Sequence, residues 1–440
     1  MNCKGLKAAV LGLGVSGRAA VELLLEKGAD VVALDHKWSE ALETLAAGLK
    51  ARGARVELGA KSQAVCRFDL GVISPGIRPD APMVEQVRQT GATMMGELEF
   101  AYRFCECPII AITGTNGKST TTELVAAVLT ADGKKTTACG NIGKALSSVV
   151  NTTGELDVVT VEVSSFQLET IIEFRPRVAV YLNFAPDHLD SYKSVKEYWE
   201  AKARLFLNQT PDDYAVVNSG CRYPMLRAKQ ITFNAMGGDA DYTSRDGALM
   251  RGDEILLHQE KTKLKGPHNA ENQLAAFAVG DLYAIPRPRI VEALCEYQPL
   301  PHRCETARVL DGVTYINDSK ATNIDAMEKA LLAQSQPVVL IAGGKDKGFD
   351  FSTVGDLVKK KTRHAVLLGE TQSKIFQAWE RQTNCHRVES MAEAVALSRK
   401  LARSGDVVLF SPGCSSYDMF KNFEERGDVF KTLVKELKSL

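Results

Sequence analysis

The chain has 440 residues, 45% hydrophobic and 25% charged, which is enough for two to four globular domains, with three expected. Lysine plus arginine and aspartate plus glutamate both number 54, so no net field draws the chain to nucleic acid or to an anionic membrane. The ten cysteines, at positions 3, 66, 105, 107, 139, 221, 295, 304, 385 and 414, form no C-x-x-C pair; this argues against a zinc site and for reduced thiols in a cytosolic protein, and the apolar run from Ala8 to Val15 is too short for a membrane span and has no signal-peptide cleavage pattern.

Residues 6–11 predict a strand, Gly12-Leu-Gly14-Val-Ser-Gly17 a glycine-rich turn, and Arg18 to Glu26 a helix. A second strand, Val31 to Asp35, ends in an acid 18 residues after Gly17, which completes a dinucleotide-type fingerprint. The turn suits a pyrophosphate or a ribose, so NAD and a UDP group both satisfy it; an unliganded Rossmann-like turn is the plain alternative. Downstream, Leu70-Gly-Val-Ile-Ser74-Pro-Gly76 is a strand running into a turn where an open α/β sheet places its ligands. The first domain is expected to cover 1–96.

A central domain over 97–299 is expected to open with Ile109-Ile-Ala-Ile-Thr-Gly-Thr-Asn-Gly-Lys118-Ser-Thr, a buried strand, a glycine turn and then a helix through Glu123 to Leu129. Glycines let backbone N–H groups approach phosphate oxygens, a helix N-terminus adds partial positive charge, Lys118 adds a full one, and a hydroxyl reaches Mg²⁺. Ile112 stands where the strict P-loop pattern has its first glycine, so only the G-K-[ST] half matches. Cys139-Gly-Asn141-Ile-Gly143 is a polar turn suited to the same pocket. Glu162 ends the strand after Asp157, where an NTPase puts an acid that handles Mg²⁺; a structural helix cap is the alternative. The strand from Val178 to Asn183 leads to Pro186-Asp187-His188-Leu-Asp190, with His188 a ligand candidate between two acids. Lys202, in a helix from Val195 to Leu207, reads by itself as a snorkelling surface lysine. Residues 212–265 alternate short strands and turns without visible chemistry. His268-Asn269-Ala-Glu-Asn272 either reaches a nucleotide or caps its helix.

A third domain over 300–440 follows a cluster of prolines at 286, 288, 299 and 301. It has three strands running into polar loops, at Asn317-Asp318-Ser-Lys320-Ala-Thr322-Asn323, at Gly343-Gly-Lys345-Asp-Lys347-Gly348, and at Ser411-Pro-Gly-Cys-Ser-Ser416-Tyr417. Three such strand ends with Lys320 and Lys347 argue for one face that binds an anionic ligand. The fold class is therefore α/β in three domains: Rossmann-like, P-loop-type mononucleotide-binding, and Rossmann-like again.

Gly114-Thr-Asn-Gly-Lys-Ser-Thr, Pro301-His-Arg, Asn317-Asp-Ser-Lys-Ala-Thr-Asn, and Ser411-Pro-Gly-Cys-Ser-Ser with Phe420-Lys-Asn-Phe-Glu-Glu-Arg-Gly427 resemble the Mur ligases of peptidoglycan synthesis over the whole chain. With the Gly12 fingerprint they most resemble the members that add D-glutamate to UDP-N-acetylmuramoyl-L-alanine. The resemblance implies ATP-driven amide formation through an acyl phosphate, in the cytoplasm, by a monomer without nucleic acid or a membrane span. It also implies the site residues. Lys118, His188 and Lys202 would be catalytic. Gly114, Thr115, Asn116, Gly117, Lys118, Ser119, Thr120, Asn269, Asn272, Arg303 and Asp318 would bind ATP. Ser119, Glu162, His188 and Lys202, the last as a carbamate, would hold two Mg²⁺ ions. Val15, Ser16, Asp35, Ser74, Gly76 and Asn141 would face the UDP-sugar. Lys320, Thr322, Lys347, Ser416, Tyr417 and Phe423 would hold D-glutamate. Departures from the family pattern fall at His36-Lys37, at Tyr417, and in a slightly short segment between His188 and Lys202. The near alternative is another Mur-type or a folylpolyglutamate-type ligase with a different amino acid, and two other classes stay open on the residues alone, an NAD-dependent dehydrogenase and a P-loop motor or switch.

Overall fold

The computed structural model describes residues 1–59, 67–188 and 191–439; Cys66 and Asp190, both singled out above, lie outside the described residues. The chain divides into two compact units. One comprises Met1–Phe184, Lys196–His258 and Glu271–Glu296, the other Ala185–Val195, Gln259–Ala270 and Tyr297–Leu440.

The first unit holds two sheets. Strands β1 (Lys7–Leu11), β2 (Asp30–Asp35), β3 (Arg55–Leu58), β4 (Leu70–Ile73) and β5 (Thr93–Gly96) form an all-parallel sheet in the order β3-β2-β1-β4-β5. The order reverses between β1 and β4, which opens a crevice at their carboxyl ends. The second sheet contains β6 (Ile109–Thr113), β7 (Thr136–Gly140), β8 (Val158–Glu162), β9 (Val178–Tyr181), β10 (Tyr214–Asn218), β11 (Lys229–Asn234), β12 (Tyr242–Arg245), β13 (Ala248–Arg251) and β14 (Glu254–His258). Its order is β14-β13-β12-β11-β10-β9-β6-β8-β7, with β13 and β14 pairing antiparallel at one edge. Every residue of β6 is buried, as expected for a parallel strand covered on both faces.

The helix Glu97–Tyr102 joins these two sheets, and its acids account for the tightness of the joint. Glu99, fully buried, accepts from the backbone N–H groups of Ile172, Glu173 and Phe174 at 2.8, 3.0 and 2.9 Å and from Arg103 at 3.1 Å. Glu97 accepts from Ser147 N–H at 2.8 Å, and burial raises its pKa. The sequence marked this stretch only as a boundary.

In the second unit, β15 (Glu305–Leu310), β16 (Val313–Asn317), β17 (Val338–Ala342), β18 (Thr362–Leu367), β19 (Asn384–Arg387) and β20 (Val407–Phe410) run in the order β15-β16-β20-β17-β18-β19, parallel except for the β15–β16 hairpin. The loops after β16, β20 and β17 therefore leave one edge of the sheet side by side. Among the described residues no helix is long and apolar enough to cross a membrane.

Candidate active site

At the first sheet's crevice the glycine turn is fixed by close approach. A Cβ on Gly17 would stand 1.7 Å from the Gly12 carbonyl oxygen, and one on Gly12, where φ is +85°, 2.9 Å from Ile77 and 3.0 Å from Ser74. The turns after β1 and β4 therefore touch, which brings Ser74 beside the fingerprint. The helix begins at Val15, three residues before the expected start, so Val15 and Ser16 form its first turn and offer N–H groups to an anion. Asp35 is 7% exposed, and its two oxygens accept from Leu13 N–H at 2.8 Å and Lys37 N–H at 2.9 Å. Its visible role is to clamp the turn. Gly76 is exposed on the neighbouring loop.

The phosphate loop follows β6, between β9 and β8. The helix runs Lys118–Ala131, starting at the lysine rather than at Glu123. Gly117 caps it at φ +84°, and a Cβ there would stand 2.3 Å from Asn272 Oδ1. Asn272, 3% exposed, accepts from the Thr121 hydroxyl at 3.1 Å. Asn183, which the sequence reading took only as a strand end, holds the loop from the other side. Its carbonyl accepts from Thr115 N–H at 3.1 Å, its side-chain oxygen accepts from Asn116 N–H at 2.9 Å, and its amide donates to Asn116 O at 3.0 Å. Lys118 Nζ donates to the carbonyls of Gly114 at 3.0 Å and Thr115 at 2.8 Å.

Lys202 is 1% exposed, so the surface reading of it is wrong. Its ammonium donates to the Gly114 oxygen at 2.8 Å and lies 4.8 Å from the Tyr198 ring centroid. Two lysines thus converge on one carbonyl. Glu162, 2% exposed, ends the strand beside β6 in register with Ile112 and accepts from Asn141 Nδ2 at 2.8 Å. The helix after it is capped by Ser164 with Gln167 in a capping box, so Glu162 is not needed as a cap. Among the described residues no group of three or more His, Cys, Asp or Glu is placed to hold a metal. Mg²⁺ at a nucleotide does not need one, because it takes one or two protein oxygens and fills its octahedron with phosphates and water. The hydroxyl of Ser119 and the carboxylate of Glu162 are the hard oxygen donors that fit.

Gly117→Ala should weaken ATP binding and destabilise the first unit by about 1–3 kcal/mol, because it adds both left-handed strain and a clash with Asn272. A thermal melt and the ATP KM check this; wild-type values for both would refute the loop geometry.

In the second unit the three strand-end loops are cross-tied. Asp318 accepts from the Ser411 hydroxyl at 2.7 Å and from Cys304 N–H at 3.1 Å. Lys345 and Ser415 form a bridge between neighbouring loops. Arg426, 2% exposed, donates to Ser319 Oγ, Ser319 O and Cys414 O at 3.0, 2.7 and 3.0 Å, and burial lowers its pKa to about 10. The sequence reading missed it as a site former; only its place one turn after Asn422 on a C-terminal helix hinted at it. Lys320 Nζ sits 3.8 Å from the Phe423 ring centroid. Lys347 pairs at 3.3 Å with Asp187, which also accepts from Asn323 Nδ2 at 2.9 Å. Burial alone would raise the Asp187 carboxyl, but Lys347, His188 and Asn323 outweigh it and hold it below its usual value. His188 follows with φ +55°, its Nε2 3.8 Å from Asp187. Ser416 is buried, Thr322 and Arg303 are partly buried, and Tyr417 is 69% exposed. Asn269 donates to the Lys265 carbonyl at 2.8 Å.

Burial pushes the Asp318 carboxyl up to about 6, against the hydrogen bonds from Ser411 and Cys304 that lower it. A folded-state pKa above the ordinary 3.8 means stability that is complete at low pH and lost as pH rises through about 6. Asp318→Asn should therefore be the more stable protein near pH 8, by up to about 3 kcal/mol, with the gap closing near pH 4. Melts across that range test the sign; a gap independent of pH would refute it.

Comparison with known proteins agrees across the whole chain. Residues 6–96 match the Mur ligase MurD-like N-terminal domain, 112–280 the Mur ligase middle domain, and 302–414 the Mur ligase glutamate ligase domain. The UDP-N-acetylmuramoylalanine--D-glutamate ligase of Geotalea uraniireducens is 40% identical over 447 residues, covering 99% of each chain, and that of Pelotomaculum thermopropionicum is 40% identical with 98% of each covered. The crystal structure of UDP-N-acetylmuramate-alanine ligase MurC from Thermotoga maritima shares the fold, with a TM-score of 0.64 at 19% identity over 98% of this chain and all of that one. From its phosphate loop to its cross-tied third sheet, the chain belongs to the Mur ligase family.

Proposed function

We propose that this chain is the ATP-dependent ligase that joins D-glutamate to UDP-N-acetylmuramoyl-L-alanine. The observation that carries the reading is a phosphate loop with a buried second lysine in the same chain as a dinucleotide-type crevice, over a length matched end to end by relatives of that name. The reaction has two steps. The substrate carboxylate takes the γ-phosphoryl group of ATP to give an acyl phosphate. The amine of D-glutamate then attacks the acyl carbon, and phosphate leaves from the tetrahedral adduct.

Each residue set has a part. Val15, Ser16, Asp35, Ser74, Gly76 and Asn141 receive the UDP-sugar, with N–H groups of the first helical turn aimed at the diphosphate. The loop Gly114–Thr120 with Asn272 cradles the ATP phosphates, and Lys118 swings from its loop carbonyls to the transferred group. Asn269, Arg303 and Asp318 complete recognition of the nucleotide. Mg²⁺, when bound, offsets negative charge on the phosphates. Ser119 and Glu162 would hold one ion, and His188 and Lys202 as a carbamate would serve a second. Lys320, Thr322, Lys347, Ser416, Tyr417 and Phe423 take D-glutamate, the lysines against its carboxylates. The enzyme works as a cytoplasmic monomer.

The test is phosphate release from ATP with UDP-N-acetylmuramoyl-L-alanine and D-glutamate, set against L-glutamate, L-alanine and a diamino acid. Release that requires the nucleotide sugar and D-glutamate together is expected. Release with another amino acid would assign the chain to a sister ligase, and release with no amino acid would leave a hydrolase.

A further inference from the structure

The phosphate loop leaves the carboxyl end of β6. A cavity of about 630 Å³ lies at the other end of that strand, lined by Tyr102, Arg103, Cys105, Cys107, Arg175 and Arg177 among others. Arg177 immediately precedes β9 and Asp213 immediately precedes β10, so the cavity sits under the amino ends of three neighbouring strands. Nothing in the proposed reaction uses this edge of the sheet.

Two features single it out. The first is a pair of free thiols two residues apart. Cys105 and Cys107 are both partly exposed, and the Cys105 side chain folds over its neighbour to donate to the Cys107 carbonyl at 3.4 Å. The second is the arginine-bearing part of the same lining. Arg175 and Arg177 share a single carboxylate, Asp213, at 2.7 and 3.5 Å, which leaves one positive charge there; Arg103 faces two carboxylates, the buried Glu99 and the exposed Glu173, at 3.1 and 3.5 Å, so the excess cation is local to the Arg175–Arg177 pair. Arg177 keeps 45% of its side chain exposed.

We infer that Cys105 and Cys107 form a thiol-modification site for a carboxylate-bearing low-molecular-weight disulfide, which the Arg175–Arg177 wall holds. In the first step the Cys105 thiolate attacks one sulfur of that disulfide. A mixed disulfide forms, the incoming S–S bond breaks, and the released thiolate takes a proton from water. In the second step the Cys107 sulfur attacks Cys105 Sγ and gives its proton to the departing thiolate. The balance is two cysteine thiols oxidised and one disulfide reduced to two thiols. The environment favours Cys105 as the attacking group: hydrogen bonding from Cys107 lowers its pKa against the burial that raises it, while Cys107 itself is raised.

The test uses the full chain with oxidised glutathione, and 2-hydroxyethyl disulfide as the uncharged probe, followed by peptide mass spectrometry. In the wild type the 105–107 peptide should lose two hydrogens, faster than any adduct forms on the other partly exposed thiols among the described residues, Cys221, Cys295, Cys304 and Cys385. Cys107→Ser should instead retain one glutathionyl group on Cys105. Arg177→Gln should slow the glutathione reaction by roughly 3- to 10-fold and leave the uncharged reaction unchanged. Equal labelling of Cys105 and the other exposed thiols in the wild type would overturn the site. An Arg177→Gln rate equal to wild type with both probes would overturn the anionic ligand.

Discussion

Replacing Lys118 with alanine should abolish ATP-dependent phosphate release and leave the fold standing. The side chain bonds to two carbonyls of its own loop, at 3.0 and 2.8 Å, and in a partly exposed site losing such bonds costs about 1–2 kcal/mol each, a loss the fold can bear. Alanine is the best helix former, and it would occupy the first position of the helix Lys118–Ala131. Chemistry depends on the side chain far more than stability does. The transferred phosphoryl group carries its charge on oxygens, and a preorganised cation aimed at them in a water-poor site contributes on the order of 10²–10³-fold or more in rate. The expected result is a melting curve close to wild type and turnover reduced at least that far. Turnover within about tenfold of wild type would refute the cradle as the site of phosphoryl transfer.

Lys202→Ala should also be inactive, for a different reason. The Gly114 oxygen accepts from Lys118 at 3.0 Å and from Lys202 at 2.8 Å, so two like charges converge where Lys202 is 1% exposed. The uncharged amine is the form that adds carbon dioxide. A carbamate there replaces one of two repelling cations with an anion able to ligate a metal. Bicarbonate should not rescue Lys202→Ala, which has no amine, whereas a short carboxylic acid should recover part of the rate. Truncating so buried a side chain also costs about 2–5 kcal/mol, so Lys202→Met, which keeps the volume, separates folding from chemistry. The direct readout is ¹³C NMR in labelled bicarbonate, with a carbamate signal in the wild type that is absent from Lys202→Met. Wild-type activity in Lys202→Met would make the lysine a structural group.

The sequence revealed the glycine turns and the strand-end loops because they depend on local rules: only glycine tolerates φ +84° at Gly117 or the approach at Gly17, and buried parallel strands read as apolar runs. It failed where a side chain's role depends on distant chain. Lys202 read as a surface residue because nothing in its helix shows that Gly114, 88 residues earlier, stands at hydrogen-bond distance. Asn183 looked like a strand end because its clamp on Asn116 is 67 residues away. Arg426 bonds across 107 residues to Ser319, and Glu99 across more than 70 to the turn at Ile172. Asp35 has a second role that its position did not announce: where a ribose-binding acid is expected, its oxygens also accept from two backbone N–H groups and clamp the turn, which leaves lone pairs for a ligand.

If Asn141 faces the UDP-sugar and Glu162 the metal, as proposed, the hydrogen bond between them links two ligands that would otherwise bind independently. A sugar group that draws the Asn141 amide toward itself leaves that carboxylate oxygen with one partner fewer, and its negative charge more available to a cation at the phosphates. Thermodynamic linkage then requires symmetry. Whatever factor the UDP-sugar adds to the affinity for the metal–nucleotide complex, that complex must add to the affinity for the sugar. One amide donor would thus give the enzyme a preference for holding both substrates together over holding either alone.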